Sequence, residues 1–171
     1  MNLPLITRAL EHADRIAIVA TEGVFTYRDL LHTSGQIATH LLNNSGNNSD
    51  NNSGNNSSDL QESRVAFLVP PGFAYVATQW GIWRAGGIAV PLCTSHPRPE
   101  LEYAITQSGA SIIVAHPHFE PLLHPIAIAH NLRFILTSDP LPDRVGSLPK
   151  LDLSRRALIL YTSGTTGKPK G

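Results

Sequence analysis

Short apolar runs alternate with longer stretches of helical spacing along most of this chain. Ile16 to Ala20 and Val24-Phe25 flank Thr21-Glu22-Gly23, a turn-like connection, and together predict a hairpin. A helix is expected to follow, with Thr26 as its cap and Asp29 in the first turn, because Leu30, Leu31, Ile37, Ala38, Leu41 and Leu42 recur on one face. Further on, strands are expected at Val65 to Val69, Ile88 to Leu92, Ser111 to Ala115 and Phe134 to Leu136. Helices are expected at Phe73 to Arg84, Pro99 to Ser108 and Phe119 to His130, the last interrupted near Pro121 and Pro125. Alternation of this kind builds βα units, so the fold class is α/β with a largely parallel sheet and flanking helices. A proline-rich connection from Thr137 to Pro149 then leads to a final predicted strand, Ala157 to Tyr161.

One tract breaks the pattern. Residues 43–59 repeat Asn-Asn-Ser followed by Gly, Asp or Ser, with no apolar side chain to bury. Ordering such a segment costs entropy that nothing offsets, so it is read as a disordered insert. Its Asn-Asn-Ser triplets match the glycosylation acceptor pattern, but an acceptor matters only in a secreted chain, and composition explains them more simply. Joining Leu42 to Leu60 through a short linker is therefore expected to change thermal stability little, since each doubling of loop length costs only ~0.6 kcal/mol. A thermal melt of the shortened chain checks this, and a large loss would mean that the tract is ordered.

The chain has 171 residues, with thirteen basic and thirteen acidic side chains and a formal net charge of zero. No global field draws it to nucleic acid or an anionic membrane, and no apolar run approaches the ~20 residues of a bilayer span. The start carries Glu11 and Asp14 and lacks a basic region followed by an apolar core, so no cleaved address is expected. The reading is a soluble protein of the cytoplasm or an organelle matrix. The single cysteine, Cys93, cannot form an internal disulfide and is read as a packed side chain beside Pro91-Leu92. His116, His118, His124 and His130 lack zinc spacing and are read as surface groups, so no metal ligand is assigned. Trp80 and Trp83 are read as core, and Glu100 and Glu102 as solvated charge on different helix faces.

Chemistry concentrates after the last strand, in Tyr161-Thr162-Ser163-Gly164-Thr165-Thr166-Gly167-Lys168-Pro169-Lys170-Gly171. Gly164 and Gly167 let a ligand approach the main chain, and successive N–H groups can converge on an anion. Hydroxyls of Thr162, Ser163, Thr165 and Thr166 add neutral donors, and Lys168 and Lys170 add charge-assisted ones. The run is not a Walker loop. That pattern needs glycine where Thr162 stands and Ser or Thr where Pro169 stands.

The run does resemble the phosphate-binding signature of the AMP-forming, adenylate-forming ligases, matching it at every position from Tyr161 to Gly171. Asp14 to Ile18, Phe25 to Leu30, Arg64 to Leu68, Trp83 to Leu92, Leu101 to Ile105 and Ser111 to Val114 are similar to the same family, and Gly86 to Leu92 leans toward its malonyl-CoA and related acyl-CoA synthetases. The resemblance implies that residues 1–171 are an incomplete N-terminal domain of the adenylate-forming fold. It implies that the parent enzyme joins a carboxylate to coenzyme A through an acyl-adenylate, using ATP and Mg2+. Thr162, Ser163, Gly164, Thr165, Thr166, Gly167, Lys168 and Lys170 would hold the β- and γ-phosphates, and no residue here is a complete catalytic group. A second reading, of a different class, is a non-catalytic nucleotide-binding or interaction module on a truncated form of the same fold.

Overall fold

Residues 3–43 and 59–162 are described in the computed structural model, and they divide into two units. The first comprises Met1–Glu62, Pro71–Gly87 and Leu141–Arg155. It opens with a helix that the sequence reading did not anticipate, α1 (Pro4–Glu11). Its N-cap is Leu3, which makes no side-chain capping bond, so the usual start signal is missing. Pro4 in the first turn and the burial of Ile6 and Ala9, three residues apart, account for the helix instead.

The expected hairpin is present as β1 (Ile16–Ala20) and β2 (Gly23–Thr26), antiparallel, with Val19 opposite Val24 and Ala20 opposite Gly23. Helix α2 (Tyr27–Asn43) follows. Its start is a reciprocal cap. The Thr26 N–H donates to Asp29 Oδ2 at 2.7 Å, and the Asp29 N–H donates to Thr26 Oγ1 at 3.3 Å. The Thr26 hydroxyl, which donates to Asp29 Oδ2 at 2.7 Å, followed by the Thr26 N–H, holds the Asp29 carboxyl below its usual range.

Helix α3 (Phe73–Arg84) has the bounds the periodicity predicts. It packs against α2 at small residues, since a Cβ on Gly81 would come within 2.5 Å of Ile37 Cγ2. Trp80 is buried with Ile6, Ala9, Leu30 and Ala77, as expected of core, and Trp83 packs partly buried against the same cluster. Its first N–H, on Phe73, donates at 2.7 Å to Glu22 Oε1 from the hairpin turn. Gly72 makes room for that carboxylate. Its φ is 156°, and a side chain there would collide with Glu22.

The Phe73 N–H is also the main reason that the Glu22 carboxyl titrates below its ordinary value of 4.5. A depressed folded-state value means that the unfolded chain binds the proton more readily in acid, so the bond stabilises fully above pH 4.5 and is lost as pH falls through the lowered value. Urea midpoints measured between neutral pH and strong acid are expected to fall less steeply in Glu22→Gln than in the parent. Some acid dependence should remain, because Asp29, Asp59 and Asp152 are depressed in the same direction. Identical slopes in the two proteins would show that the turn carboxylate does not cap α3.

The two ends of the Asn/Ser tract belong to the structured unit, so a linker that shortens the tract keeps Asn43 and Asp59. Asn43 is the last residue of α2, and Asp59 accepts from Arg155 Nη1 at 2.9 Å and from the Gln61 N–H at 2.5 Å. Burial pushes the Asp59 carboxyl up, but these bonds outweigh it and leave it below the usual range. Residues 44–58 lie outside the described residues. Beside Asp59 stands Gly86, with φ of 82° and Leu151, Asp59 and Arg155 all within 3.2 Å of where a Cβ would be.

The second unit comprises Ser63–Pro70, Ile88–Pro140 and Arg156–Gly171. Its strands are β3 (Arg64–Leu68), β4 (Ile88–Pro91), β5 (Ala110–Ala115) and β6 (Arg133–Leu136). They pair in the order β4-β3-β5-β6, every neighbouring pair parallel. The two central strands are buried from Val65 to Leu68 and from Ile112 to Ala115, as strands covered on both faces must be. Helix α4 (Arg98–Ser108) ends at Gly109, whose φ of 66° gives the left-handed cap.

Helix α5 (Glu120–Ala129) follows a 3₁₀ turn at Pro117–Phe119. It corrects the expected interruption, because it runs through both prolines. Pro121 sits in the first turn, where an N–H would have no intrahelical partner, and burial of Leu123, Ile126 and Ala127 offsets the bond missing at Pro125.

Candidate phosphate-binding edge

Because β3 to β6 are all parallel, their carboxyl ends share one edge of the sheet, and the chain leaves β4, β5 and β6 there with its ladder extended by one more bond. The N–H groups of Leu92, His116 and Thr137 donate to the carbonyls of Phe67, Leu68 and Ala115 at 2.9, 3.0 and 2.9 Å. Open parallel sheets place ligands at this edge.

The segment leading to the glycine- and lysine-rich run lies along β4. It is not the full strand expected from Ala157 to Tyr161. A parallel bridge pairs Leu158 with Ala89, held by the Ala89 N–H on the Ala157 carbonyl at 2.9 Å and the Ile159 N–H on the Ala89 carbonyl at 3.0 Å. Ile159 and Tyr161 pack on the apolar core, while Leu158 and Leu160 are 43% and 58% exposed, so burial on one side is all that supports longer pairing. The bridge is parallel and Ala89 lies two residues before the end of β4, so the chain is carried past the carboxyl ends of the strands by Tyr161 and Thr162. Burial, with Tyr103 as the lesser cause, raises the Tyr161 phenol and keeps it neutral. Thr162 is exposed; Ser163, Gly164, Thr165, Thr166, Gly167, Lys168 and Lys170 lie outside the described residues.

The same edge carries groups that the sequence reading placed elsewhere. Cys93 is exposed, not packed: β4 ends at Pro91, and Leu92 is the last side chain to turn inward. Its Sγ lies 3.1 Å from Ser95 Oγ, and that hydroxyl, followed by the Ser95 and His96 N–H groups, lowers the thiol pKa. Two residues read as plain solvated charge have partners: Glu100, in the first turn of α4, with His96 at 3.6 Å, and Glu102 with His130 at 2.8 Å, the latter where α5 ends before β6, toward the opposite edge. His116 accepts from the His118 N–H through Nδ1 at 3.2 Å, which fixes its tautomer. No signal in the linear sequence puts the segment after β4, with Cys93, Ser95 and His96, at the same sheet edge as Tyr161 and Thr162, since parallel register brings them there.

A four-stranded parallel sheet with a bridge on its edge strand that carries Tyr161 and Thr162 past the carboxyl ends is the beginning of the adenylate-forming fold. Residues 5–171 match the AMP-binding enzyme family, and the chain belongs to it. It is similar to the mitochondrial malonate–CoA ligase ACSF3 of Homo sapiens, 35% identical over 177 residues that cover 99% of this chain and 29% of that protein. The malonate–CoA ligase of Arabidopsis thaliana is 32% identical over 96% of this chain and 29% of its own length. This chain therefore spans about three tenths of these relatives. Among solved structures, O-succinylbenzoate coenzyme A synthetase of Bacillus subtilis in complex with AMP superposes with a TM-score of 0.75 at 23% identity, over 98% of this chain and 40% of that one. An ATP-bound RpMatB–BxBclM chimera gives 0.73 at 24% identity, over 100% and 34%.

Proposed function

We propose that this chain supplies the phosphate-binding edge of an ATP-dependent, AMP-forming acid–thiol ligase. The observation that carries the reading is the Tyr161 to Gly171 run of the sequence, whose first two residues follow the Ala89–Leu158 bridge past the carboxyl ends of a parallel sheet. In the reaction, a carboxylate oxygen attacks the α-phosphorus of ATP, the bond to pyrophosphate breaks, and an acyl-adenylate forms. The thiol of coenzyme A then attacks the acyl carbon and AMP departs. The hydroxyls of Thr162, Ser163, Thr165 and Thr166 and the N–H groups around Gly164 and Gly167 orient the β- and γ-phosphates. Lys168 and Lys170 offset charge as pyrophosphate leaves, an electrostatic contribution made by donors fixed before the reaction begins.

A dicarboxylic acid of malonate type is the substrate class that the named relatives favour. Mg2+ would accompany ATP and shield its phosphates. Among the described residues no cluster of three or more His, Cys, Asp or Glu could hold the ion, so its protein ligands are not assigned to this part of the molecule. No helix among the described residues is long and apolar enough to cross a membrane, which fits a place in the cytoplasm or an organelle matrix.

The reading is tested with a chimera in which this chain replaces the matching segment of the Arabidopsis thaliana malonate–CoA ligase. Malonate-dependent exchange of label between pyrophosphate and ATP is expected from the chimera and not from residues 1–171 alone, which span only 29% of that relative. A folded chimera without exchange would overturn the phosphate role. Exchange by residues 1–171 alone would show that the working site is far smaller than proposed.

A further inference from the structure

The first unit contains a second feature that the ligase reading leaves unused. Ile6 and Leu10 of α1 and Leu148 and Leu151 of the late connection line a pocket of about 170 Å³, and Arg84, the last residue of α3, lines it with them. Leu10 is 56% exposed, so the pocket meets the surface there. A volume this size lies below the ~300 Å³ at which drug-sized sites begin, which restricts an occupant to a short chain.

The guanidinium is the unusual wall. Arg84 is half-buried, and its Nη1 donates to the Leu31 carbonyl and to Ser34 Oγ, the latter at 2.8 Å. Both partners are neutral. The ion pairs of the other arginines among the described residues go elsewhere, Arg8 to Glu11, Arg28 to Asp14 and Arg155 to Asp59. Burial alone lowers the Arg84 pKa, with no acid contributing. A guanidinium has five N–H donors in a planar fork, and a cation withdrawn from water without a counter-charge is costly. The remaining donors fit the two oxygens of a carboxylate, and the leucine and isoleucine walls fit an aliphatic tail.

We propose that this pocket binds a short-chain aliphatic carboxylate, with its headgroup on Arg84 and its tail against Ile6, Leu10, Leu148 and Leu151. The site is separate from the phosphate-binding edge and does not depend on the ligase reading.

The test is methyl NMR of the 171-residue chain titrated with hexanoate, hexanol and hexylammonium. Hexanoate is expected to shift the Ile6, Leu10 and Leu151 methyls saturably at millimolar concentration, hexanol at least tenfold more weakly, and hexylammonium not at all. Arg84→Gln should weaken hexanoate at least tenfold. Because that change also removes the bonds to Leu31 and Ser34, Leu10→Trp is the companion variant: it fills the mouth of the pocket, leaves Arg84 in place, and should abolish the shifts. Equal binding of hexanoate and hexanol, saturable shifts confined to other methyls, no saturable shift, or undiminished binding in Leu10→Trp would each overturn the proposal. Pyrophosphate exchange by the chimera is read separately, so failure of the pocket and failure of the phosphate role are told apart.

Discussion

Alanine in place of Lys168 or Lys170 in the malonate ligase chimera is expected to slow adenylate formation about ten- to somewhat over a hundredfold, while binding of the carboxylate changes much less. The magnitude follows from a charge-assisted hydrogen bond of ~1.5–3 kcal/mol, at 1.36 kcal/mol per decade of rate. The selectivity follows from where the proposed reaction places the charge: it grows on the departing pyrophosphate, while the acid meets the nucleotide at the α-phosphorus. Single-turnover rates and carboxylate affinities measured for both single variants and the double variant check the claim. Rates within twofold of the parent in all three would remove these lysines from the phosphate site.

Ile113→Ala should have the largest effect on stability. Ile113 lies on the central strand β5, fully buried among Ala66, Leu68, Val90, Leu101, Ile105, Leu123 and Ile126. Neighbours on a parallel sheet held from both sides cannot close the space, so the loss is expected to be ~2–5 kcal/mol, against ~0.5–1.5 kcal/mol for Ile113→Val. A domain of this size is typically stable by only ~5–15 kcal/mol, which makes the larger figure visible as a marked drop in the urea midpoint. Equal midpoints for the two variants would mean that the second unit's core repacks.

The elements read correctly from the sequence are those whose evidence is local. The bounds of α3 follow from helical spacing ended by Gly86-Gly87, and those of the hairpin from apolar runs around a short turn. The family is legible because the run from Tyr161 to Gly171 is contiguous, and the match over residues 5–171 agrees with it. What escaped the reading depends on contacts distant in sequence. Helix α1 has no capping side chain and forms because Ile6 and Ala9 find buried places. Helix α5 survives Pro125 for the same reason. The segment 157–161 looks like a strand by its apolar residues, yet only Ala89 pairs with it. Cys93 sits next to a buried strand in sequence, but β4 ends before reaching it. The order β4-β3-β5-β6 has no linear signature at all, since the neighbour of a parallel strand is set by the crossover that joins them.

The carboxylate that Glu22 offers to α3 bears on how variation in this chain should be interpreted. Glu22 is an exposed residue in a two-residue turn, the kind of position where sequence drift is usually assumed to be harmless. Its partner is 51 positions away, and the space it occupies is kept open by a glycine whose φ of 156° also disfavours any side chain. Glu22 and Gly72 are therefore a matched pair: a side chain gained at 72 evicts the acid, and an acid lost at 22 leaves the first amide of α3 to water. Solvent exposure, the common guide to tolerance, gives the wrong answer for one and no answer for the other.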